Sequence, residues 1–137
     1  MCPDTKVLLV YVKLELFFAA ICYYIKINPK PITAMAKKIA EQLIDTLVKS
    51  GVERIYAVTG DSLNEVNEAV RKNDQIKWIH VRHEETGAYA AAAEAQLTGR
   101  PGCCAGSSGP GHVHLINGLY DAHRSGAPGI ANASTIP

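Results

Sequence analysis

Two adjacent carboxylates, Glu84 and Glu85, open the stretch RHEETGAYAAAAEAQLTG (residues 82–99), whose remainder is dominated by alanine. Alanine has the highest helix propensity, so the stretch reads as a helix beginning near Glu84. Carboxylates in a first helical turn interact favourably with the helix dipole, which explains one of the pair without any chemistry. The alanines give the other a sharper role. Gly87, Ala88, Ala91, Ala92 and Ala95 fall at helical spacing and make a smooth face that another element can approach closely. A carboxylate at the end of that face, among apolar neighbours, is drawn toward its acid form by desolvation and toward its anion by the dipole. Such a balance suits a group that exchanges a proton near neutral pH.

GSSGPG (106–111) is the second candidate. It lacks the Gly-Lys-Ser/Thr of a phosphate loop and the glycine spacing of a dinucleotide fingerprint. Gly109 directly follows Ser108, so it is not a nucleophile elbow either. What remains is a tight turn: either a plain structural one, or one that brings backbone close to a ligand and opens a helix with free N–H groups. Five histidines (His80, His83, His112, His114 and His123) raise the question of a metal. His112 and His114 are two apart and share no helical face, and no second cluster adds ligands at fixed spacing, so no metal site is assigned. Cys103 and Cys104 are neighbours in an apolar run. On a strand they point to opposite faces, which reads as two small buried side chains of a reduced, cytoplasmic protein rather than ligands or a disulfide.

Elements that alternate in type must position these groups. Ile39, Leu43, Ile44, Leu47 and Val48 recur at helical spacing, closed by Ser50-Gly51. RIYAV (54–58) is a short apolar strand ending in TGD. A second helix starts at Ser62, where Ser62 and Glu65 fit the capping-box pattern, and runs to about Lys72. IKWIHV (76–81) is the second strand, followed by the alanine helix. PGCCAGS (101–107) is the third, leading through the glycine turn into a further helix, and APGIANAS (127–134) is the fourth. Short apolar strands separated by helices imply an α/β fold: three αβα layers around a parallel sheet. In such sheets ligands bind beyond the carboxyl ends of the strands. TGD, RHEE and GSSGPG all fall there, so one rim is expected to gather them.

The 137 residues allow one domain, and the formal net charge of +1 suggests no nucleic-acid partner. Residues 1–34 do not match the rest. VLLVYVKLELFFAAICYYIKI (7–27) is apolar but interrupted by Lys13 and Glu15, and its clean part, Leu16 to Ile25, is shorter than the roughly 20 residues a bilayer requires. No small-residue cleavage site follows, so a signal peptide does not fit. Residues 1–34 read as a leader outside the fold, with a membrane anchor as the minor alternative, and residues 35–137 as the domain.

YAVTGDSLNEV, RHEETGAYAAAAEAQLTGRPG and CAGSSGPGHVHLINGLYDAHRSGAP together resemble, in order and spacing, the amino-terminal part of thiamine-diphosphate enzymes, most of all the pyruvate oxidase and pyruvate:quinone dehydrogenase branch. The resemblance covers about residues 35–137. It implies a domain that binds the aminopyrimidine half of thiamine diphosphate, with Glu84 on the ring nitrogen N1′ promoting the tautomer that deprotonates thiazolium C2. Glu85 is then the dipole partner. Thr59 and Gly60 would lie against the pyrimidine, and Gly109, Pro110, Gly111 and Asn117 would shape the cofactor rim. The alanine face would pack in a homodimer, with the cofactor between subunits. The substrate implied is a 2-oxo acid such as pyruvate, with Mg2+ and FAD held by domains that follow in the family and are missing from this chain. On that comparison the chain is a truncated fragment with half a cofactor site. Gly129 and Asn132 stand where the family carries small or branched apolar residues, so the last strand is expected either to fray or to carry a damaged sequence. A stand-alone α/β module that binds a partner protein is the competing reading.

Overall fold

A computed structural model describes residues 36–134. The readings made for residues 1–34, and for Met35 as the start of the domain, fall on residues outside the described ones. The fold described is that of the unit Lys37–Pro137. Its elements follow in the order α1 (Ile39–Lys49), β1 (Arg54–Ala57), a 3-10 turn (Asp61–Leu63), α2 (Asn64–Arg71), β2 (Lys77–His80), α3 (Glu84–Thr98), β3 (Gly102–Gly106), α4 (Pro110–His114), α5 (Ile116–Ser125) and β4 (Gly129–Ala133). The four strands form one parallel sheet in the order β2-β1-β3-β4, with Ile55 opposite both Trp78 and Cys103, and Cys103 opposite Ile130.

Alternation along the strands divides the interior into two layers, as the sequence pattern implies. Ile55, Ala57, Cys103 and Ala105 face α1 and α2, where they meet Ile44, Leu47, Leu63, Ala69, Val70 and Ile76. Tyr56 and Cys104 face the other way, against Ala88, Ala91, Leu115 and Leu119 of α3 to α5. Helices therefore cover both faces, and the three-layer α/β architecture stands. Cys103 and Cys104 are free thiols buried on opposite faces. Each fully buried branched side chain such as Ile44, Ile55 or Leu63 contributes about 1.5–3 kcal/mol by leaving water.

The alanine helix answers to its own chain. Its buried residues are Gly87, Ala88, Ala91, Ala92 and Ala95, the set expected from spacing. What they let in is β3, β1 and α5. A Cβ on Gly102 of β3 would stand 2.0 Å from Ala91 O, and one on Gly118 of α5 would stand 2.5 Å from the Ala88 Cβ. Ala92 is 4% exposed in the single chain, so the alanine face is an internal packing surface and not a dimer interface. That corrects the assignment carried over from the family resemblance. Large apolar side chains left exposed lie elsewhere, among them Val113, Ile116 and Tyr120 around α4 and α5 and Tyr89 on α3.

Three further expectations change. Ser62 caps no helix: α2 begins at Asn64 after the 3-10 turn, with no side-chain cap, and Glu65 pairs with Lys38 at 2.7 Å. The helix after the glycine turn is two short ones joined at Leu115, whose side chain is fully buried in the second layer. β4 does not fray, for its five residues pair with β3 from Gly102↔Gly129 to Gly106↔Ala133. Gly129 and Asn132 weaken a strand mainly where side chains must fill a core, and β4 lies at the sheet edge with alternate residues exposed.

Candidate functional site

The carboxyl ends of the strands converge as the parallel topology requires, and a serine cluster fastens their loops. The Ser62 Oγ accepts from Ser108 N–H at 3.0 Å and lies 2.9 Å from Ser107 Oγ and 2.6 Å from Ser134 Oγ. Ser134 Oγ donates in turn to Gly106 O at 3.2 Å. One proton arrangement satisfies all four contacts: Ser107 donates to Ser62, Ser62 to Ser134, and Ser134 to the carbonyl. The segments after β1, β3 and β4 are thus tied at one rim. His112 adds a further tie through Nδ1, 3.1 Å from Ser134 O, and since a carbonyl only accepts, Nδ1 carries the proton.

Glu84 stands beside this knot as the first residue of α3, capped by His83, whose Nδ1 accepts from Glu85 N–H at 3.3 Å. Only 13% of the Glu84 side chain is exposed. Its surroundings are not the apolar ones expected. Glu84 Oε2 lies 3.1 Å from His114 Nδ1, which donates when the carboxylate is ionised, and the His114 ring stacks on His83 with centroids 4.5 Å apart. Oε1 faces Gly111, where a Cβ would stand at 3.3 Å, so a side chain there would crowd the carboxylate.

The residues expected at the rim are therefore unequally placed. Gly60 lies against Ser107, where a Cβ would come within 2.4 Å of its Oγ, and Gly111 lies against both Glu84 and Ser107. Gly109 takes a φ of 73°, a left-handed conformation that favours glycine, and Pro110 starts α4 with its fixed φ. Thr59 and Asn117 are exposed, the first in the loop after β1 and the second in the first turn of α5. Glu85 shares that first turn of α3 and supplies the dipole term. Sequence reasoning missed Ser62, His83 and His114. The signal for His114 was present, since it sits within GPGHVHLING three residues after Gly111. A hollow of about 450 Å³ also opens at the β2 edge, lined by Asn67, Arg71, Lys77 and Trp78 among others. None of the rim residues lines it, so it is no part of this site.

The family model for thiamine pyrophosphate enzymes, N-terminal TPP binding domain, matches residues 37–137. The chain belongs to the thiamine pyrophosphate enzyme family. Its relatives include a 42.6 kDa protein of the isoamylase 3′ region of Pseudomonas amyloderamosa, 56% identical over 100 residues that make up 73% of this chain and 25% of the relative. The thiamine pyrophosphate-containing protein YdaP of Bacillus subtilis is 50% identical over 104 residues, 74% of this chain and 18% of the relative. Pyruvate oxidase of Lactiplantibacillus plantarum is 49% identical over 90 residues, 65% of this chain and 15% of the relative. Plant acetolactate synthases also match, at 34–35% identity. The chain spans a quarter or less of the length of these relatives.

Proposed function

We propose that this chain supplies the pyrimidine half of the cofactor site in a pyruvate oxidase-like enzyme acting on a 2-oxo acid, pyruvate foremost. The observation that carries the reading is Glu84: 13% exposed, at the rim, with one oxygen on His114 and the other facing the space that Gly111 keeps clear. That cradle fits an aminopyrimidine edge, which needs one acceptor–donor carboxyl and room for a flat ring. When bound, thiamine diphosphate supplies the electron sink for decarboxylation. Glu84 would hold or release the proton at N1′ of the pyrimidine, and Gly60, Gly109, Pro110 and Gly111 would border the ring. Thr59 and Asn117 complete the rim from its exposed side. The serine cluster around Ser62 keeps these loops in fixed relation, so that the glutamate meets the ring without reorganisation.

The pyruvate oxidase branch is favoured by identity, 49% to pyruvate oxidase against 34–35% to acetolactate synthases. On this reading FAD and Mg2+ are held by parts of the enzyme that correspond to the rest of those longer relatives. A second copy of the chain covers Tyr89, Val113, Ile116 and Tyr120 in a homodimer. Among the described residues no helix is long and apolar enough to cross a membrane, which accords with an enzyme working in the cytoplasm.

The test grafts residues 37–137 into the Lactiplantibacillus pyruvate oxidase in place of its matching segment and follows hydrogen–deuterium exchange at thiazolium C2. General acid–base groups contribute about 10²–10⁴ in rate, so Glu84→Gln should slow exchange by that order. Glu85→Gln should change stability by only about 0.3–1 kcal/mol and leave exchange near its original rate. Undiminished exchange in the Glu84 variant overturns the assignment.

A further inference from the structure

His83, Glu84 and His114 come from two elements 30 residues apart in sequence and meet at the rim, with one ligand atom from each lying within 4.8 Å of the others. Two imidazoles and a carboxylate are the donor set that zinc, cobalt and nickel prefer, and such sites keep one position open for water or an added ligand. We propose that this chain binds a divalent transition metal ion, Zn2+ or Co2+, through His83, Glu84 and His114. Bonds of about 2.0–2.2 Å in a tetrahedral shell put neighbouring ligand atoms roughly 3.3 Å apart. Glu84 Oε2 and His114 Nδ1 already stand at 3.1 Å, so that edge of the shell is formed. His83 has to close the remainder. It is exposed, at the very start of α3, with its ring stacked on His114 and its Nδ1 accepting from Glu85 N–H at 3.3 Å.

Coordination through His83 Nδ1 would exchange the helix cap for a metal bond, whereas coordination through Nε2 would keep it. The side chain of His114 is 42% exposed, which leaves the open position facing solvent. Hard oxygen-seeking cations gain little from two imidazoles, so Mg2+ and Ca2+ should not compete. The metal takes the same Glu84 carboxylate that a pyrimidine ring would take, but its binding does not depend on that assignment, because the titration needs no cofactor.

Adding Co2+ to the full 137-residue chain at neutral pH should develop the visible absorption of a four- or five-coordinate ion, and Zn2+ should abolish it. Loss of outer-shell partners alone costs metal sites about 10–100-fold in affinity, so losing a ligand should weaken binding at least ~10-fold. That loss is expected in His114→Ala, His83→Ala and Glu84→Gln, each checked by circular dichroism for an intact fold. His114→Gln serves if His114→Ala does not fold. His123→Ala, on the far end of α5, should bind as the parent does. Absence of the cobalt spectrum, its survival in the His114 and His83 variants, or a thiolate charge-transfer band showing that cysteine holds the ion would each overturn the proposal.

Discussion

Two glycines that face each other across the β3–β4 ladder should respond to alanine with opposite signs. Gly102 and Gly129 are register partners. A Cβ on Gly102 would stand 2.0 Å from Ala91 O and 2.7 Å from its carbonyl carbon, and the obstacle is helix backbone, not a side chain that can swing away. Relief requires α3 to withdraw by more than ~1 Å from the most buried strand, parting the contacts of Ala88, Ala91 and Cys104. Overpacking a core typically costs about 1–3 kcal/mol, and a rigid obstacle places Gly102→Ala at the upper end, about 3 kcal/mol. Against a total stability of about 5–15 kcal/mol that is a large fraction. At about 4–8 °C per kcal/mol it lowers Tm by roughly 12–24 °C. Gly129 has only Gly102 O nearby, at 3.9 Å, and no positive φ. Alanine there restricts the unfolded chain and should add about 0.4–1 kcal/mol. Urea unfolding followed by circular dichroism measures both, with an unchanged m-value showing that the unfolded reference is the same. A Gly102→Ala chain as stable as the parent would mean that α3 is not seated on β3 as described, and the reasoning for the alanine face would fall with it.

Other perturbations separate packing from chemistry. Ser62→Ala removes the hydroxyl shared by Ser107, Ser134 and the Ser108 amide and should cost about 1–3 kcal/mol, with faster hydrogen exchange at Ser108 N–H as the local sign. Burial pushes the Cys103 thiol up to about 12 and Cys104 to about 11, so at pH 8 neither should alkylate in the folded chain. Both should react once urea unfolds it, as read by mass spectrometry of the peptides. Ala92→Glu should unfold the domain, because it buries an unpaired charge within one chain, whereas Tyr120→Glu on the exposed face should leave the fold intact and reduce self-association in light scattering. A folded Ala92→Glu chain that merely fails to dimerise would restore the alanine face as the interface.

What is legible in the sequence is what local periodicity controls. RIYA forms the apolar strand read from it and buries Ile55 and Ala57. Of the helical recurrence Ile39, Leu43, Ile44, Leu47 and Val48, the structure buries Ile44 and Leu47 but leaves Ile39 and Leu43 exposed. The alanine helix is equally plain, since Gly87 to Ala95 form a continuous small-residue face whatever covers it. Its partner is harder to name. Close approach needs small residues on both sides, and Gly102 and Gly118 lie in other elements, where nothing local distinguishes a glycine that meets a helix from one that merely turns the chain. Ser62 misleads for the opposite reason. Its local pattern with Glu65 is a good capping box, but hydroxyls from two later loops compete for the same oxygen and win.

The rim shows why a site is less legible than a fold. Glu84 is visible because a carboxylate before an alanine run is locally odd. His114 escapes a reading by helical spacing because His112, its neighbour in the chain, serves elsewhere. The one bonds Glu84, and the other bonds the carbonyl of Ser134. A side chain's chemistry at the end of a parallel sheet is set by which loop lies opposite, and the strand order β2-β1-β3-β4 is what decides that. Had the glycine turn followed β2 instead of β3, the same histidines would face other residues with no change in any local pattern.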